Sequence, residues 1–131
     1  MEILFEFGFE EKEILDMINQ FIDLKLLSKE EVLSKIAILK RLGCKDRHIK
    51  NILDSNPYYL CRSDSDIIKL INYLKDIKFD CIYLLLDSNP YILNLEFFEV
   101  NNYINTMLNN GALLEDIVDN LDSNPYLFNE M

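Results

Sequence analysis

The 131 residues carry 13 Lys and Arg against 23 Asp and Glu, a net charge of −10, and half of them are hydrophobic, enough for one continuous core. No apolar run approaches the roughly 18 residues of a membrane span. The opening Met1-Glu2-Ile3-Leu4-Phe5-Glu6 is acidic where a signal peptide is basic, so a cytoplasmic protein without a membrane partner is expected.

The first eight residues, with Phe5 and Phe7 among them, read as a short lead-in, a turn or cap over the first helix. The spacing of Ile14, Met17, Ile18 and Phe21 predicts a helix from Glu10 to about Gln20. Ser28-Lys29-Glu30-Glu31 reads as a capping box that opens a helix to about Leu42, with Gly43 just past its end. Lys45 to Ser55 is the next helix. Ser63-Asp64-Ser65-Asp66 caps its partner, which runs to about Asp76. A shorter, mostly apolar helix follows over Cys81 to Leu86, then helices over about Glu96 to Asn109 and Leu113 to Leu121.

One tetrapeptide organises this order: Asp54-Ser55-Asn56-Pro57, Asp87-Ser88-Asn89-Pro90 and Asp122-Ser123-Asn124-Pro125, each followed by a tyrosine. The prolines are 33 and 35 residues apart, a period that belongs to helical-hairpin repeats. Proline excludes the α conformation from the residue before it, so each motif stops a helix. Asn is also a favoured N-cap and Pro a favoured first helical residue, so Asn56, Asn89 and Asn124 are expected to cap a 3₁₀ turn that begins at Pro57, Pro90 or Pro125. Aligned on the prolines, Ile49 and Leu53, Ile82 and Leu86, and Ile117 and Leu121 form one buried stripe; Ile22 occupies the proline position of a degenerate first unit. Val32, Ile36 and Leu39 align with Ile67, Ile71 and Leu74, then with Val100, Ile104 and Met107. The expected fold is all-α: a short α-solenoid of about three and a half helix–3₁₀–helix repeats, period 33–35. The expected organisation is one domain over 1–131, with a degenerate repeat at 8–42, repeats at 43–77 and 78–110, and a half repeat at 111–131.

Leu42-Gly43, Ile49, Ile52-Leu53, Asn56-Pro57-Tyr58-Tyr59-Leu60, Ile67, Ile71 and Leu74 resemble the repeat of the mitochondrial transcription termination factor (mTERF) family. The resemblance covers about residues 43–128, and the first 42 only as a degenerate unit. It implies paired helices joined by a 3₁₀ turn at the proline, stacked into a curved superhelix whose basic concave face holds double-stranded nucleic acid.

Charge bears on that expectation. Residues 44–78 carry seven cations and five carboxylates, whereas residues 79–131 carry nine carboxylates and no Lys or Arg. Phosphate contacts supply most non-specific nucleic-acid affinity, so the second half should repel DNA and RNA. The candidate nucleic-acid contacts are therefore Lys45, Arg47, Lys50, Arg62 and Lys69. Tyr126, Leu127 and Phe128 follow the last proline with no second helix after them, which makes them a candidate self-association edge.

No catalytic, cofactor or metal site is legible. His48 is the only histidine and has no assignable nucleophile; the paired carboxylates fall at helix starts, where they complement the dipole; Cys44, Cys61 and Cys81 lack metal-site spacing. The sequence favours a non-enzymatic protein-interaction or regulatory module, acting on a protein partner or on its own copies. A nucleic-acid-binding regulator using 45–78 is the alternative, disfavoured by net charge. An acidic imitation of a phosphate backbone, using Glu115, Asp116 and Asp119, is a third.

Overall fold

A computed structural model describes residues 1–131. Seven α-helices and five 3₁₀ turns make up the chain, and no strand is present. The turn η1 (Glu2–Phe7) leads into α1 (Glu11–Gln20), η2 (Ile22–Leu26) and α2 (Lys29–Arg41). Then come α3 (Asp46–Ser55), η3 (Pro57–Cys61) and α4 (Asp64–Asp76), followed by α5 (Ile82–Ser88), η4 (Pro90–Asn94) and α6 (Phe97–Asn109). The chain ends with α7 (Leu114–Ser123) and η5 (Pro125–Glu130).

The helices form where the apolar stripes predict them. Ile49, Leu53, Leu86, Ile117 and Leu121 are buried in one cluster of 32 hydrophobic residues that runs from Leu4 to Phe128. Burying an Ile or Leu side chain is worth about 1.5–3 kcal/mol relative to exposure. Helices of ten residues are marginal alone, so this packing stabilises them more than intrinsic propensity does. The stacking follows the repeat. Helix α3 packs on α5, α2 on α4 and α4 on α6, while the turns η2 to η5 each rest on the next. The result is a helical solenoid.

Each proline sits at the first position of its turn, and η2 forms the same kind of turn with Ile22 in that place. The asparagines act differently from the expected caps. None of Asn56, Asn89 and Asn124 makes a side-chain cap bond to its own turn. Instead the Asn56 amide donates to Pro90 O at 3.0 Å and Asn94 Oδ1 at 2.9 Å, in the next unit. Asn89 does the same to Pro125 O at 2.9 Å and Asn129 Oδ1 at 3.0 Å. The motif thus carries an amide ladder between units. Each rung needs an amide donor in one unit and an Asn four residues after the proline in the next; Asn94 and Asn129 meet that need.

Several local expectations are adjusted by the same packing. Ser28 and Ser63 cap α2 and α4, accepting from the Glu31 and Asp66 amides at 3.1 and 3.2 Å; the reciprocal Glu31 bond of a full box does not form. Helix α5 starts at Ile82 and extends to Ser88, with Cys81 (φ −136°, ψ 87°) left outside as the residue before its first turn. The lead-in is a 3₁₀ turn that buries Leu4 and Phe7 and packs on α3. Gly8, Gly43 and Gly111 adopt positive φ where one unit passes to the next, and Lys78, with φ 77°, fills that position in the remaining unit.

Candidate nucleic-acid interface

The five predicted contacts meet different fates. Arg62 leaves the set. It is buried, with Nη1 donating to Leu93 O at 2.6 Å and Leu95 O at 2.9 Å, and Nη2 lying 2.6 Å from Glu96 Oε1. The guanidinium fork satisfies the backbone where η4 ends and α6 begins, which is the use a buried Arg is suited to. Lys50 is partly engaged: its ammonium is 3.4 Å from Glu13 Oε2 and 5.6 Å from the centre of the Phe9 ring, holding α3 to the first unit. That contact and the Glu10 amide bond act together on Glu13, where the amide is the larger influence, and they hold its carboxyl below the usual range.

Lys45, Arg47 and Lys69 are exposed and form no ion pair. Lys45 and Arg47 lie at the start of α3, where His48 bends back so that its Nδ1 accepts from the Lys45 amide at 3.0 Å. That bond fixes the buried imidazole as a helix cap, packed 5.3 Å from the Tyr83 ring. Lys69 projects from α4.

Arg41, which precedes the 44–78 segment, and Lys75, one of that segment's seven cations, come together between the first two units. Arg41 and Lys75, from the last turns of α2 and α4, flank a small cleft of about 100 Å³ floored by Ile38, Leu42 and Ile71. The same two residues rim a second depression of about 270 Å³ that continues to Phe79, Asp80 and Tyr83. Arg47 also acts on the Tyr83 phenol, whose pKa is raised chiefly by a hydrogen bond with Cys81 and lowered in part by Arg47. Segments 40–47 and 75–80 therefore bring six cations against three carboxylates to neighbouring positions. The signal was available as Lys40 and Lys75, which stand 35 residues apart in matching last turns. Counting charge along a contiguous segment hides it, because Lys40 and Arg41 belong to the unit before.

The family model for mTERF matches residues 1–127. The chain belongs to the mTERF family. No curated protein and no solved structure matches it. The match begins at residue 1, so the first unit, whose turn has Ile22 in place of proline, lies within this mTERF match and not outside it.

The far end of the mTERF solenoid carries the other predicted surface. Phe128 is not part of it: the side chain is fully buried, 6.0 Å from the Phe79 ring, because η5 folds back over the stack. Tyr126 is exposed and Leu127 half-buried. Leu127 joins Tyr103, Met107 and Asn124 around a groove of about 350 Å³. Asn120, also in that groove, stands in the position of buried Ile52 and Leu85, which makes this face more polar than an interior one. Elsewhere no three His, Cys, Asp or Glu side chains gather as metal ligands, and no helix is long and apolar enough to cross a membrane. The Cys44 thiol is buried and, chiefly by desolvation, pushed up to about 11.

Proposed function

We propose that this mTERF-family chain is a non-enzymatic regulator that binds nucleic acid through its phosphate backbone, using Arg41, Lys45, Arg47 and Lys75. The observation that carries this is the division of the cations. Lys35, Lys50 and Arg62 are spent on ion pairs inside the fold, whereas these four are exposed and free of ion pairs; Arg41 and Lys75 flank the α2–α4 cleft, and Arg47 acts on Tyr83 at the rim of the adjoining depression, with Lys45 two residues before it at the start of α3. Family membership supports the same reading.

The contact is short. With no cation after Lys78 and nine carboxylates beyond it, the backbone cannot follow the solenoid to its end without repulsion. Four phosphate contacts imply a slope of about −3.6 in log affinity against log salt for duplex DNA. Titration into labelled duplex DNA and RNA between low and physiological salt tests this. Binding with that slope, abolished in Arg41→Glu/Arg47→Glu/Lys75→Glu, is expected. Absence of binding even at low salt removes the proposal.

A second reading, the protein-interaction module, is favoured by the end groove, where Tyr103, Met107 and Leu127 present partly exposed apolar surface. Light scattering at high concentration tests its self-association form, and a monomer counts against that form.

A further inference from the structure

The motif tyrosines form a column that the fold leaves unused. Tyr58, Tyr91 and Tyr126 each follow a motif proline, and they are 43%, 53% and 64% exposed. Because η3, η4 and η5 rest on one another, the three rings recur once per unit along a single face. Phe21 extends the column, 6.0 Å from Tyr58. Buried Tyr59 and half-buried Tyr73 use their hydroxyls inside the protein, donating to Lys35 O and Asn101 Oδ1. The column tyrosines contribute no such bond. Tyr91 and Tyr126 are instead separated by an open groove of about 430 Å³, lined also by Asn51, Ser55, Asp87 and Ser88.

We propose that this column is a docking groove for an extended, proline-rich peptide carrying Arg or Lys. Three features select that chemistry. Stacked helices repeat every 8–10 Å or so, and a polyproline II chain, rising about 3.1 Å per residue with three residues per turn, presents one edge every 9 Å or so. A prolyl ring from each turn therefore meets one gap between successive tyrosines. Polyproline II carbonyls make no internal hydrogen bonds, and free phenol hydroxyls are suitable donors to them. Charge supplies the third feature. Asp87 lines the groove, Asp54 and Asp122 occupy the same position in the neighbouring units, and no Lys or Arg lines it. Cationic side chains of the peptide complement that edge, while a phosphate backbone is repelled by it. None of the four cations proposed to meet phosphate lines this groove, so the inference is tested independently of nucleic-acid binding.

The test uses the full chain and a fluorescein-labelled nonapeptide of three Pro-Pro-Arg triplets, read by anisotropy. Nonapeptides of Gly-Ser-Arg and Pro-Pro-Glu triplets and a single-stranded thymidine decamer are titrated beside it. The expected result is affinity for the Pro-Pro-Arg peptide about tenfold or more above the other three. Tyr91→Ala/Tyr126→Ala should lose about tenfold or more, and Tyr91→Phe/Tyr126→Phe should lose less, since the ring provides most of the contact. Equal binding of the Gly-Ser-Arg peptide overturns the proposal, as does preference for the decamer. So does absence of saturation at millimolar peptide, or unchanged binding by an alanine variant whose helical circular dichroism matches the parent.

Discussion

The asparagine ladder makes a prediction with a control inside the same chain. Asn56→Ala removes an amide that is 2% exposed and makes two bonds to the next unit, at 3.0 and 2.9 Å. Each such bond is worth about 0.5–1.5 kcal/mol net, and the buried Pro90 carbonyl is left short of a donor, so the loss should be about 2–3 kcal/mol. At about 4 °C per kcal/mol for a chain of this size, Tm should fall by about 8–12 °C. Asn124→Ala makes the same chemical change before the same Pro-Tyr pair, but that side chain is exposed and bonds to nothing in the fold. Its cost should stay within about 0.5 kcal/mol. Thermal melts followed by far-ultraviolet circular dichroism compare the two. If the asparagine served its own turn as an N-cap, both substitutions would cost a similar amount, about 1 kcal/mol. Equal losses at positions 56 and 124 would refute the ladder. Hydrogen exchange on Asn89→Ala adds a spatial readout, since nearest-neighbour coupling predicts loosening confined mainly to residues 111–131.

Other outcomes follow from single features. Lys78→Gly places a glycine where φ is 77° and should raise stability by up to about 1 kcal/mol, the left-handed strain relieved less the added freedom of the unfolded chain. Gly43→Ala should do the reverse, because φ is 101° and the new Cβ would lie 3.2 Å from the Tyr83 ring; denaturant melts measure both. Arg62→Ala should cost about 2–4 kcal/mol, below the full figure for a buried pair since Glu96 is partly exposed, while leaving the salt slope of nucleic-acid binding unchanged. A changed slope would return Arg62 to the interface. Asp64 accepts from Lys35 Nζ at 2.6 Å and from Ser34 Oγ, and these bonds, Lys35 first, hold its carboxyl below the ordinary range. A depressed folded value contributes stability above the unfolded pKa and loses it as pH falls through the folded one. Asp64→Asn should therefore lower Tm at pH 7 and narrow the gap to the parent below about pH 4; a gap independent of pH would contradict the ion pair.

What could be read without coordinates were the features settled within a few residues of chain. Proline at 57, 90 and 125 ends one helix and starts a 3₁₀ turn wherever it stands, and serine at 28 and 63 caps its own helix, because those effects act within one turn. The stripes from Ile49 to Leu121 declared their burial through spacing, since any helix with that spacing has one apolar face. The period then implied stacking. Tertiary structure decided what each polar side chain touches across 30 or more residues. Arg62 and Lys45 look alike in the sequence, yet one is locked against the Leu93 and Leu95 carbonyls and the other is exposed. Phe128 looked like an edge residue until η5 folded back to bring it against Phe79. Asn56 had the right identity for a cap, and only the register between η3 and η4 sends its amide to the next unit. Local rules act on neighbours in the chain, whereas these partners are set by how one unit lies on another, and small differences in that register decide which charges are buried and which remain free to bind.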